Sequence, residues 1–198
     1  MNFSESYKKI ICEPGTYFIC MPDGDIISDI SKLANKRKIS IYPGSWNPLH
    51  EGHKWIYSNI SSEDFKLFEI FIHRWDKPHL DEETVKARVE QFSGYAPIMV
   101  SNVARFVEKA GLLYPHEATW HVGIDTIQRM KLDYGEIGIS GLRGTFQVYD
   151  RKLKEKVESY PDGFQFKPKN VNRADKQPPE NLLDISSTKI RNGTYNAT

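Results

Sequence analysis

The sequence predicts an α/β protein: a single domain built on a parallel sheet that helices cover on both faces. Its 198 residues are enough for one well-buried core and too few for two domains of ordinary size. Short apolar runs of strand length alternate with longer amphipathic segments, which is the pattern of parallel strands connected by helices. No apolar run approaches the roughly 20 residues that a helix needs to cross a bilayer.

The predicted strands are short and rich in apolar and β-branched residues, as expected for strands buried on both faces. The first clear one covers residues 39–42. The further candidates, in chain order, are residues 65–72, 97–100, 119–124, 145–149 and 182–185. Residues 160–180 contain four prolines and many charges, so we expect a loop there.

Caps and apolar spacing predict helices between these strands. Asp81 can cap a helix that runs to Phe92. Its buried stripe is expected to consist of Val85, Val89 and Phe92. Another helix is expected to begin near Asn102 and to end at Gly111. One face of that helix is apolar and is formed by Val103, Phe106, Val107 and Ala110.

Residues 1–38 have the least regular pattern, and we interpret them as an N-terminal extension to a domain formed by residues 39–198. Residues 10–21 and 25–30 can form a β-hairpin around the turn sequence Pro22-Asp23-Gly24. The first residues lack the basic segment followed by an apolar one that marks a signal peptide. The expected location is therefore the cytoplasm.

The charge balance gives no reason to expect a nucleic acid or a membrane as partner. The chain has 27 lysines and arginines against 26 aspartates and glutamates, a net charge of +1. Any anion must therefore be bound locally, by a few residues. The spacing of Cys12 and Cys20 fits neither a disulfide framework nor a zinc site, so both are expected to be reduced. Nothing in the sequence predicts the oligomeric state.

Residues 44–53 combine a glycine-led turn with two histidines at the predicted junction of a strand and a helix. Free backbone N–H groups and the positive end of the helix dipole meet at such a junction, which favours anion binding. His50 and His53 are three residues apart, so both project from the same side of the first turn and can donate hydrogen bonds to a phosphate. Gly44 would let the backbone approach that phosphate without a Cβ atom.

A second candidate site covers residues 185–191, where a strand is expected to turn into a helix. The hydroxyls of Ser186 and Thr188, together with local N–H groups, can hold phosphates. Arg191 lies one turn beyond Ser187 and Thr188, and its guanidinium can clamp a phosphate through two parallel hydrogen bonds. A plain helix cap would also explain the two serines, but not the arginine.

These two stretches resemble motifs of the nucleotidyltransferase superfamily. His50, Gly52 and His53 match its His-x-Gly-His signature, and residues 185–191 resemble the Ile-Ser-Ser-Thr-x-Ile-Arg motif of nicotinate and nicotinamide mononucleotide adenylyltransferases. Gly123 and Asp125 are similar to the Gly-x-Asp with which those enzymes meet the nucleotide. The resemblance extends over residues 39–191. It implies a Rossmann-like sheet and transfer of a nucleotidyl group to an acceptor that carries a phosphate.

The resemblance assigns expected roles to individual residues. His53 would contact the α-phosphate of the nucleotide, and Asp125 would contact the ribose unless it serves only as a helix cap. The expected catalytic residues are His50, His53 and Arg191. The expected nucleotide-binding residues are Gly44, Ser45, Trp46, Gly123, Asp125, Ser186, Ser187 and Thr188. The acceptor would contact Asn47 and Lys54.

The resemblance also implies Mg²⁺ as the companion of the nucleotide, held mainly by phosphate oxygens and water, with no dedicated protein cage. ATP is the expected co-substrate, and nicotinamide or nicotinate mononucleotide is the first candidate for the acceptor. Two alternatives stay open: a CTP-dependent cytidylyltransferase of the same fold, and a module that binds a nucleotide without turnover. His121, beside Trp120 in an apolar strand, is expected to be a buried structural residue. Arg88 and Arg151 can reach a phosphate, although arginines exposed to solvent are commoner.

Overall fold

The computed structural model describes residues 2–34, 38–73, 79–153 and 156–193. Within these ranges the chain forms an eight-stranded sheet and a two-stranded ribbon. The strands of the sheet are β1 (Tyr17–Cys20), β2 (Ile26–Ile27), β3 (Ile39–Pro43), β4 (Phe65–Phe71), β5 (Ile98–Ser101), β6 (Ala118–Gly123), β7 (Thr145–Tyr149) and β10 (Val171–Arg173). The ribbon consists of β8 (Arg151–Leu153) and β9 (Lys156–Glu158). The helices are α1 (Phe3–Cys12), α2 (Ser31–Ala34), α3 (Glu51–Asn59), α4 (Glu82–Glu90), α5 (Phe106–Leu112), α6 (Ile124–Ser140), α7 (Glu180–Leu183) and α8 (Ser187–Arg191).

The strands follow the order β10-β7-β6-β3-β4-β5-β1-β2 across the sheet. The strands from β10 to β5 are parallel, whereas β1 and β2 at one edge are antiparallel. From β3 the chain adds β4 and β5 on one side, and then returns to place β6 and β7 on the other. In parallel sheets of this kind, ligands bind in the crevice at the carboxyl ends of the strands where the winding reverses, here between β3 and β6.

Alternate residues of the central strands face two separate cores. Ile41 and Leu67 belong to the core that includes residues of α5 and α6. Tyr42 and Phe68 belong to the core that includes residues of α1, α3 and α4. Helices therefore cover both faces of a largely parallel sheet, and the predicted fold class is confirmed.

Most predicted elements in the centre of the chain are present within a residue or two of their expected bounds. The helix expected after Asp81 is α4, and the Asp81 side chain caps it by accepting a hydrogen bond of 2.7 Å from the Thr84 N–H. Val85, Val89 and Phe92 are all buried, as expected. The caps and the apolar spacing were sufficient here because each signal is local.

The helix expected near Asn102 begins only at Phe106. The Asn102 amide instead accepts hydrogen bonds from the N–H groups of Gly15 and Thr16, at 3.0 and 3.1 Å, and so fastens the turn before β1. The assignment of Val107 to the buried face was wrong, because 54% of this residue is exposed. Phe106 and Ala110, four residues apart, share the buried face, and Val107 lies about 100° around the helix from Phe106 and so turns outward.

The prediction of a last strand at residues 182–185 is also wrong. Residues 180–183 form α7, and the strand that follows β7 in the sheet is β10, inside the segment expected to be a loop. Only Val171 of its three residues is buried, so the sequence has no alternating pattern there. Pairing with β7, rather than local preference, makes this segment a strand.

The N-terminal residues contain the expected hairpin, formed by β1 and β2 with Ile19 opposite Ile27. β1 also pairs with β5, so the hairpin extends the central sheet. Helix α1 was not predicted, although Asn2 and Glu5 cap it reciprocally with hydrogen bonds of 2.9 and 3.0 Å. The boundary at residue 38 stays a prediction.

Cys12 is exposed and Cys20 is buried, and neither forms a disulfide. Burial raises the pKa of the Cys20 thiol to about 12. Among the helices of the described ranges, none has the length and apolar character needed to cross a membrane.

Candidate active site

A cavity of about 1020 Å³ opens at the carboxyl ends of β3, β4, β6 and β7. It therefore lies at the reversal of the winding, where the fold favours a ligand site. The predicted site residues that line it are Gly44, Ser45, Trp46, His50, His53, Gly123, Asp125, Ser186, Ser187, Thr188 and Arg191. The fold thus brings together three motifs that are far apart in the sequence.

The turn after β3 is held by the backbone carbonyl of Glu69 on β4. This oxygen accepts hydrogen bonds from the Gly44 N–H at 2.9 Å and from the Trp46 indole N–H at 2.8 Å. Trp46 has a φ of 49° and is only 1% exposed, with its ring against Phe68 and Phe92. Its indole N–H therefore has a partner inside the protein, and the buried ring supports the turn. The expected contact of Trp46 with the nucleotide stays a prediction.

The buried ring of Trp46 leaves no room for a side chain at position 44, so this residue has to be glycine. A Cβ atom at this position would lie 2.6 Å from the indole ring, closer than real contacts allow. The geometry therefore gives a reason for the glycine beside the expected one, the close approach of a phosphate to the backbone, which stays a prediction. The glycine makes room for the buried tryptophan, which in turn shapes the loop.

His50 and His53 lie at the start of α3, with their rings stacked 3.5 Å apart between centroids. The His50 backbone N–H donates to Nδ1 of His53 over 3.4 Å. Neutral His53 therefore carries its proton on Nε2, the nitrogen available to donate. Gly52 leaves room for this pair, because a Cβ atom there would meet the His50 ring at 3.3 Å.

Both imidazoles are neutral near pH 7. Burial lowers the pKa of His50 to about 4, and burial followed by the neighbouring His50 lowers the pKa of His53 well below its ordinary value. The positive charge of Arg151 acts in the same direction on both. Neutral rings can still donate one hydrogen bond each, and they do not repel the arginine.

Neither ring nitrogen of His50 has a hydrogen-bond partner within the described ranges, although both are buried. Leaving a buried polar atom unsatisfied costs about 1–3 kcal/mol, so such atoms are rare in folded proteins. His50 lines the cavity beside the N-terminus of α3, where backbone N–H groups favour an anion. A ligand that accepts a hydrogen bond would satisfy this side chain.

Helix α8 is fastened to the turn that precedes α3. The Ser187 hydroxyl donates to the Pro48 carbonyl at 2.8 Å, and Arg191 donates to the Asn47 carbonyl and, at 3.2 Å, to the Thr188 hydroxyl. The Ser186 hydroxyl accepts from the Lys189 N–H at 3.2 Å and so acts as the cap of α8. These hydroxyls have structural partners, which the cap interpretation anticipated for the serines.

Arg151, at the start of β8, lines this site; the sequence analysis named it as able to reach a phosphate but did not count it among the site residues. Its guanidinium lies 3.3 Å from both carboxylate oxygens of Asp125 and 3.4 Å from the Ile185 carbonyl. A Cβ atom at Gly123 would lie 2.5 Å from the Asp125 carboxylate and 2.9 Å from Arg151. The glycine therefore permits the ion pair. A usable signal was present: Arg151 follows a strand whose carboxyl end faces the same edge.

Two of the expected acceptor contacts have other partners. Lys54 forms an exposed ion pair with Glu51 at 2.8 Å and does not line the cavity. Adjacent residues of a helix project about 100° apart, so Lys54 turns away from the side that His53 faces. Asn47 also lies outside the lining, and its carbonyl accepts from Arg191. Arg88 donates to the Ser45 carbonyl at 3.0 Å.

One part of the cavity lining is mostly aromatic and comes from β4, α5 and α6. It consists of Phe71, Phe106, Met130 and Tyr134, none of which the sequence analysis identified as site residues. These residues come from separate elements, so no local pattern connects them.

An ion pair that is removed from solvent lies against Phe71 and Phe106. Lys109 Nζ is 2.5 Å from Glu69 Oε2, and the Ser101 hydroxyl donates to Glu69 Oε1 at 2.7 Å. The same ammonium lies 4.4 Å from the centroid of the Phe71 ring. The two charges compensate each other, so the pair adds no net charge to the cavity.

The prediction that His121 is a buried structural residue is confirmed. Its Nδ1 is 2.9 Å from the Tyr149 hydroxyl and its Nε2 is 3.2 Å from the Ser40 hydroxyl, which donates to Asp64 at 2.6 Å. Burial lowers the pKa of His121 to about 3, so the ring is neutral. It joins β3, β6 and β7 below the cavity.

The fold and the position of the cavity define an α/β protein of the Rossmann-like class. A scan against models of known protein families gives no match, and a search of curated proteins gives none. Among solved structures, the chain is similar to nicotinic acid mononucleotide adenylyltransferase from Plasmodium falciparum in complex with NaAD. That match has a TM-score of 0.51 and 17% sequence identity over 79% of this chain and 83% of the other. The same enzyme in complex with APC matches over the same shares, with a TM-score of 0.50 and 17% identity. The chain therefore shares the Rossmann-like α/β fold of that enzyme, as its motifs predicted.

Proposed function

We propose that this protein is a nucleotidyltransferase that moves AMP from ATP onto the phosphate of a small acceptor and releases pyrophosphate. The observation that carries the proposal is the buried His50 imidazole, which has no hydrogen-bond partner within the described ranges and lines the cavity next to His53. A phosphate at the start of α3 is the kind of ligand that would satisfy it. The similar fold of the Plasmodium enzyme supports nicotinate or nicotinamide mononucleotide as the first acceptor to test.

In the proposed reaction an oxygen of the acceptor phosphate attacks the α-phosphorus of ATP. The new bond is a phosphorus–oxygen bond, and the bond from the α-phosphorus to the bridging oxygen breaks, so that pyrophosphate leaves with the electron pair. The acceptor phosphate is ionised near neutral pH and needs no general base. The chain therefore has to position the two phosphates in line and compensate the charge that develops on the oxygens.

The residues at the phosphate end suit that task. His53 would donate from Nε2 to an α-phosphate oxygen, and His50 would donate to the same group or its neighbour. Arg151 places a guanidinium donor close to both rings, and its ion pair with Asp125 keeps that group in place. Arg191 and Ser187 fasten α8 over the turn, so the segment from residue 186 to 191 would meet the leaving pyrophosphate.

Mg²⁺ would accompany the nucleotide and offset part of the phosphate charge when bound. The lining fits a metal held by phosphate oxygens and water, because the carboxylates of Asp125 and Asp150 are each paired with an arginine. The histidines are poor ligands for this ion, which prefers oxygen. Both rings therefore remain free to donate to phosphate.

The first test is the release of pyrophosphate by the purified protein with Mg²⁺, with ATP or CTP and with nicotinate or nicotinamide mononucleotide. We expect release with ATP, and we expect His53→Ala to reduce the rate by about 10²- to 10³-fold, as for other lost donors to a transition state. His116→Ala is the matched control, since this histidine is only partly buried and does not line the cavity.

The outcomes separate the alternatives. Release with CTP alone would identify a cytidylyltransferase. Binding of ATP without release, under all conditions, would identify a module that binds a nucleotide without turnover. Equal rates for His53→Ala and the wild type would refute the role of the histidine pair.

A further inference from the structure

A chain of hydrogen bonds crosses the sheet from its amino edge to the cavity. It begins at Asp64, which precedes β4 and is only partly buried, and it ends at Tyr149, which closes β7 and lines the cavity. The Ser40 hydroxyl lies 2.6 Å from Asp64 Oδ2. His121 continues the chain, with Nε2 at 3.2 Å from the Ser40 hydroxyl and Nδ1 at 2.9 Å from the Tyr149 hydroxyl. The reaction proposed above uses none of these four residues.

The Asp64 carboxylate fixes the direction of every hydrogen bond in this chain. An ionised carboxylate only accepts, so the single hydroxyl proton of Ser40 points at Asp64, and the Ser40 oxygen can only accept from His121. Nε2 of His121 therefore carries the proton of the neutral ring. Nδ1 is then unprotonated and accepts from the Tyr149 hydroxyl.

The two ends of the last hydrogen bond hold these protonation states near neutral pH. Burial lowers the pKa of His121 to about 3, so the imidazole carries a single proton. Burial also raises the pKa of the Tyr149 hydroxyl, which therefore stays protonated. Because the only proton of that hydroxyl points at His121, the Tyr149 oxygen can offer the cavity nothing but its lone pairs.

Tyr42 supplies a complementary donor. It lies on β3 and Tyr149 lies on β7, but both side chains belong to the same core on one face of the sheet, and both line the cavity. Within the described ranges the Tyr42 hydroxyl forms no hydrogen bond, so its proton is available to a ligand. A group that contacts both tyrosines must donate once and accept once. A hydroxyl does both, whereas an amino group only donates and a phosphate oxygen only accepts.

We infer that Tyr149 determines specificity by accepting a hydrogen bond from a sugar hydroxyl of the bound ligand, and that Asp64 fixes this direction from the opposite edge of the sheet. Ser40 and His121 are positioning residues, because they act through Tyr149. The inference rests on the proposed function, since the sugar would belong either to the nucleotide or to the mononucleotide acceptor. An ionised oxygen at the same position would face lone pairs and is excluded.

Calorimetric binding of ligands that lack one hydroxyl tests the contact and identifies its source. One arm compares ATP with its 2′-deoxy and 3′-deoxy forms. The other compares nicotinamide mononucleotide with its 2′-deoxy and 3′-deoxy forms, in protein saturated with the non-cleavable α,β-methylene analogue of ATP. We expect one deoxy form to bind about 3- to 10-fold more weakly than its parent, the range of one neutral hydrogen bond. A loss in the first arm assigns the hydroxyl to the nucleotide, and a loss in the second assigns it to the acceptor.

Tyr149→Phe removes the acceptor and keeps the ring. In this variant the parent and that deoxy form should bind within about twofold of each other. Tyr114→Phe is the matched control, because Tyr114 is 73% exposed and lies outside the cavity lining, and it should keep the wild-type ratio. An unchanged ratio in Tyr149→Phe would overturn the inference. So would a wild-type protein that binds every deoxy form as tightly as its parent.

Nitrogen NMR of the His121 ring tests the direction of the chain without any ligand. At neutral pH the wild type should carry the ring proton on Nε2, with Nδ1 unprotonated. Ser40→Ala removes the group that accepts from Nε2 and should lower the share of this tautomer, whereas Ser58→Ala, on the exposed side of α3, should not. A wild-type proton on Nδ1, or a tautomer that Ser40→Ala leaves unchanged, would contradict the role of Asp64.

These readouts separate the inference from the proposed function, because neither requires turnover. A preference for the hydroxyl that Tyr149→Phe abolishes supports the contact, even if pyrophosphate is never released. Release of pyrophosphate by a protein whose preference survives in Tyr149→Phe supports the proposed reaction and refutes the contact.

Discussion

The Ser187 hydroxyl donates a hydrogen bond of 2.8 Å to the carbonyl of Pro48, and so joins residues 139 positions apart in the chain. Arg191 repeats the connection one turn later by donating to the Asn47 carbonyl. The motif at residues 185–191 is therefore hydrogen-bonded to the backbone of the motif at residues 44–53. Each motif helps to position the other, so Ser187 and Arg191 affect the shape of the cavity even though their side chains bond to the protein.

Removal of the Ser187 hydroxyl should loosen α8. For Ser187→Ala we expect a loss of about 0.5–1.5 kcal/mol in the free energy of unfolding, typical of one hydrogen bond, and a several-fold rise in the KM for the nucleotide. Urea unfolding and steady-state kinetics measure the two effects. Ser58→Ala is the control, because that hydroxyl bonds to the Trp55 carbonyl on the exposed side of α3. Equal KM values for the two variants would contradict the prediction.

Gly44→Ala should destabilise the fold by about 1–3 kcal/mol, since the new methyl group would lie 2.6 Å from the buried Trp46 ring. Gly111→Ala is the control: nothing lies within 4 Å of a Cβ atom there, and alanine in a helix should stabilise by about 0.5–1 kcal/mol. Urea unfolding of both variants decides the matter. In the Trp46→Phe background the Gly44→Ala substitution should cost less, and an equal cost there would show that the indole is not the obstacle.

Acid should destabilise the folded chain through His50. Its pKa is about 4 in the folded state and about 6.5 when unfolded, so the unfolded chain binds the proton first as the pH falls. The stability is complete above pH 6.5 and is lost progressively between pH 6.5 and 4, by about 2 kcal/mol at pH 5 for this group. His50→Gln should show a shallower decline over this interval in urea unfolding at a series of pH values. Parallel curves would mean that the His50 pKa is not lowered by burial.

The local features of the fold were predictable and the long-range ones were not. Asp81 marks its helix by a cap that can be recognised within four residues, whereas β10 exists because Val171 and its neighbours pair with β7. A short edge strand with one buried residue has no periodic pattern of its own. The sequence therefore predicts the central elements well and the edge of the sheet poorly.

The same distinction holds for the candidate site. His50 and His53 lie in a compact motif whose spacing reveals a shared direction, and the structure places them in the cavity. Arg151 and Phe71 reach the cavity from different strands, so only the topology brings them together. Lys54 follows His53 in the sequence but lies outside the cavity lining, because adjacent residues of a helix do not share a face.

Replacing one member of the buried ion pair of Glu69 and Lys109 should destabilise the fold strongly, whereas replacing both should destabilise it little. Glu69→Gln leaves the Lys109 ammonium without a countercharge, and we expect a loss of about 3–5 kcal/mol in the free energy of unfolding. Burial lowers the pKa of this lysine while the carboxylate holds it charged, so the single variant should also lose stability more steeply as the pH falls. Glu69→Gln/Lys109→Met should recover most of the loss, because no charge is then left in the core.

The exposed pair of Lys54 and Glu51 is the control: Glu51→Gln should cost less than about 1 kcal/mol. Urea unfolding of Glu69→Gln, Lys109→Met and the double variant measures the coupling between the two charges. If the double variant lost as much free energy of unfolding as the two single variants together, the two charges would not compensate each other.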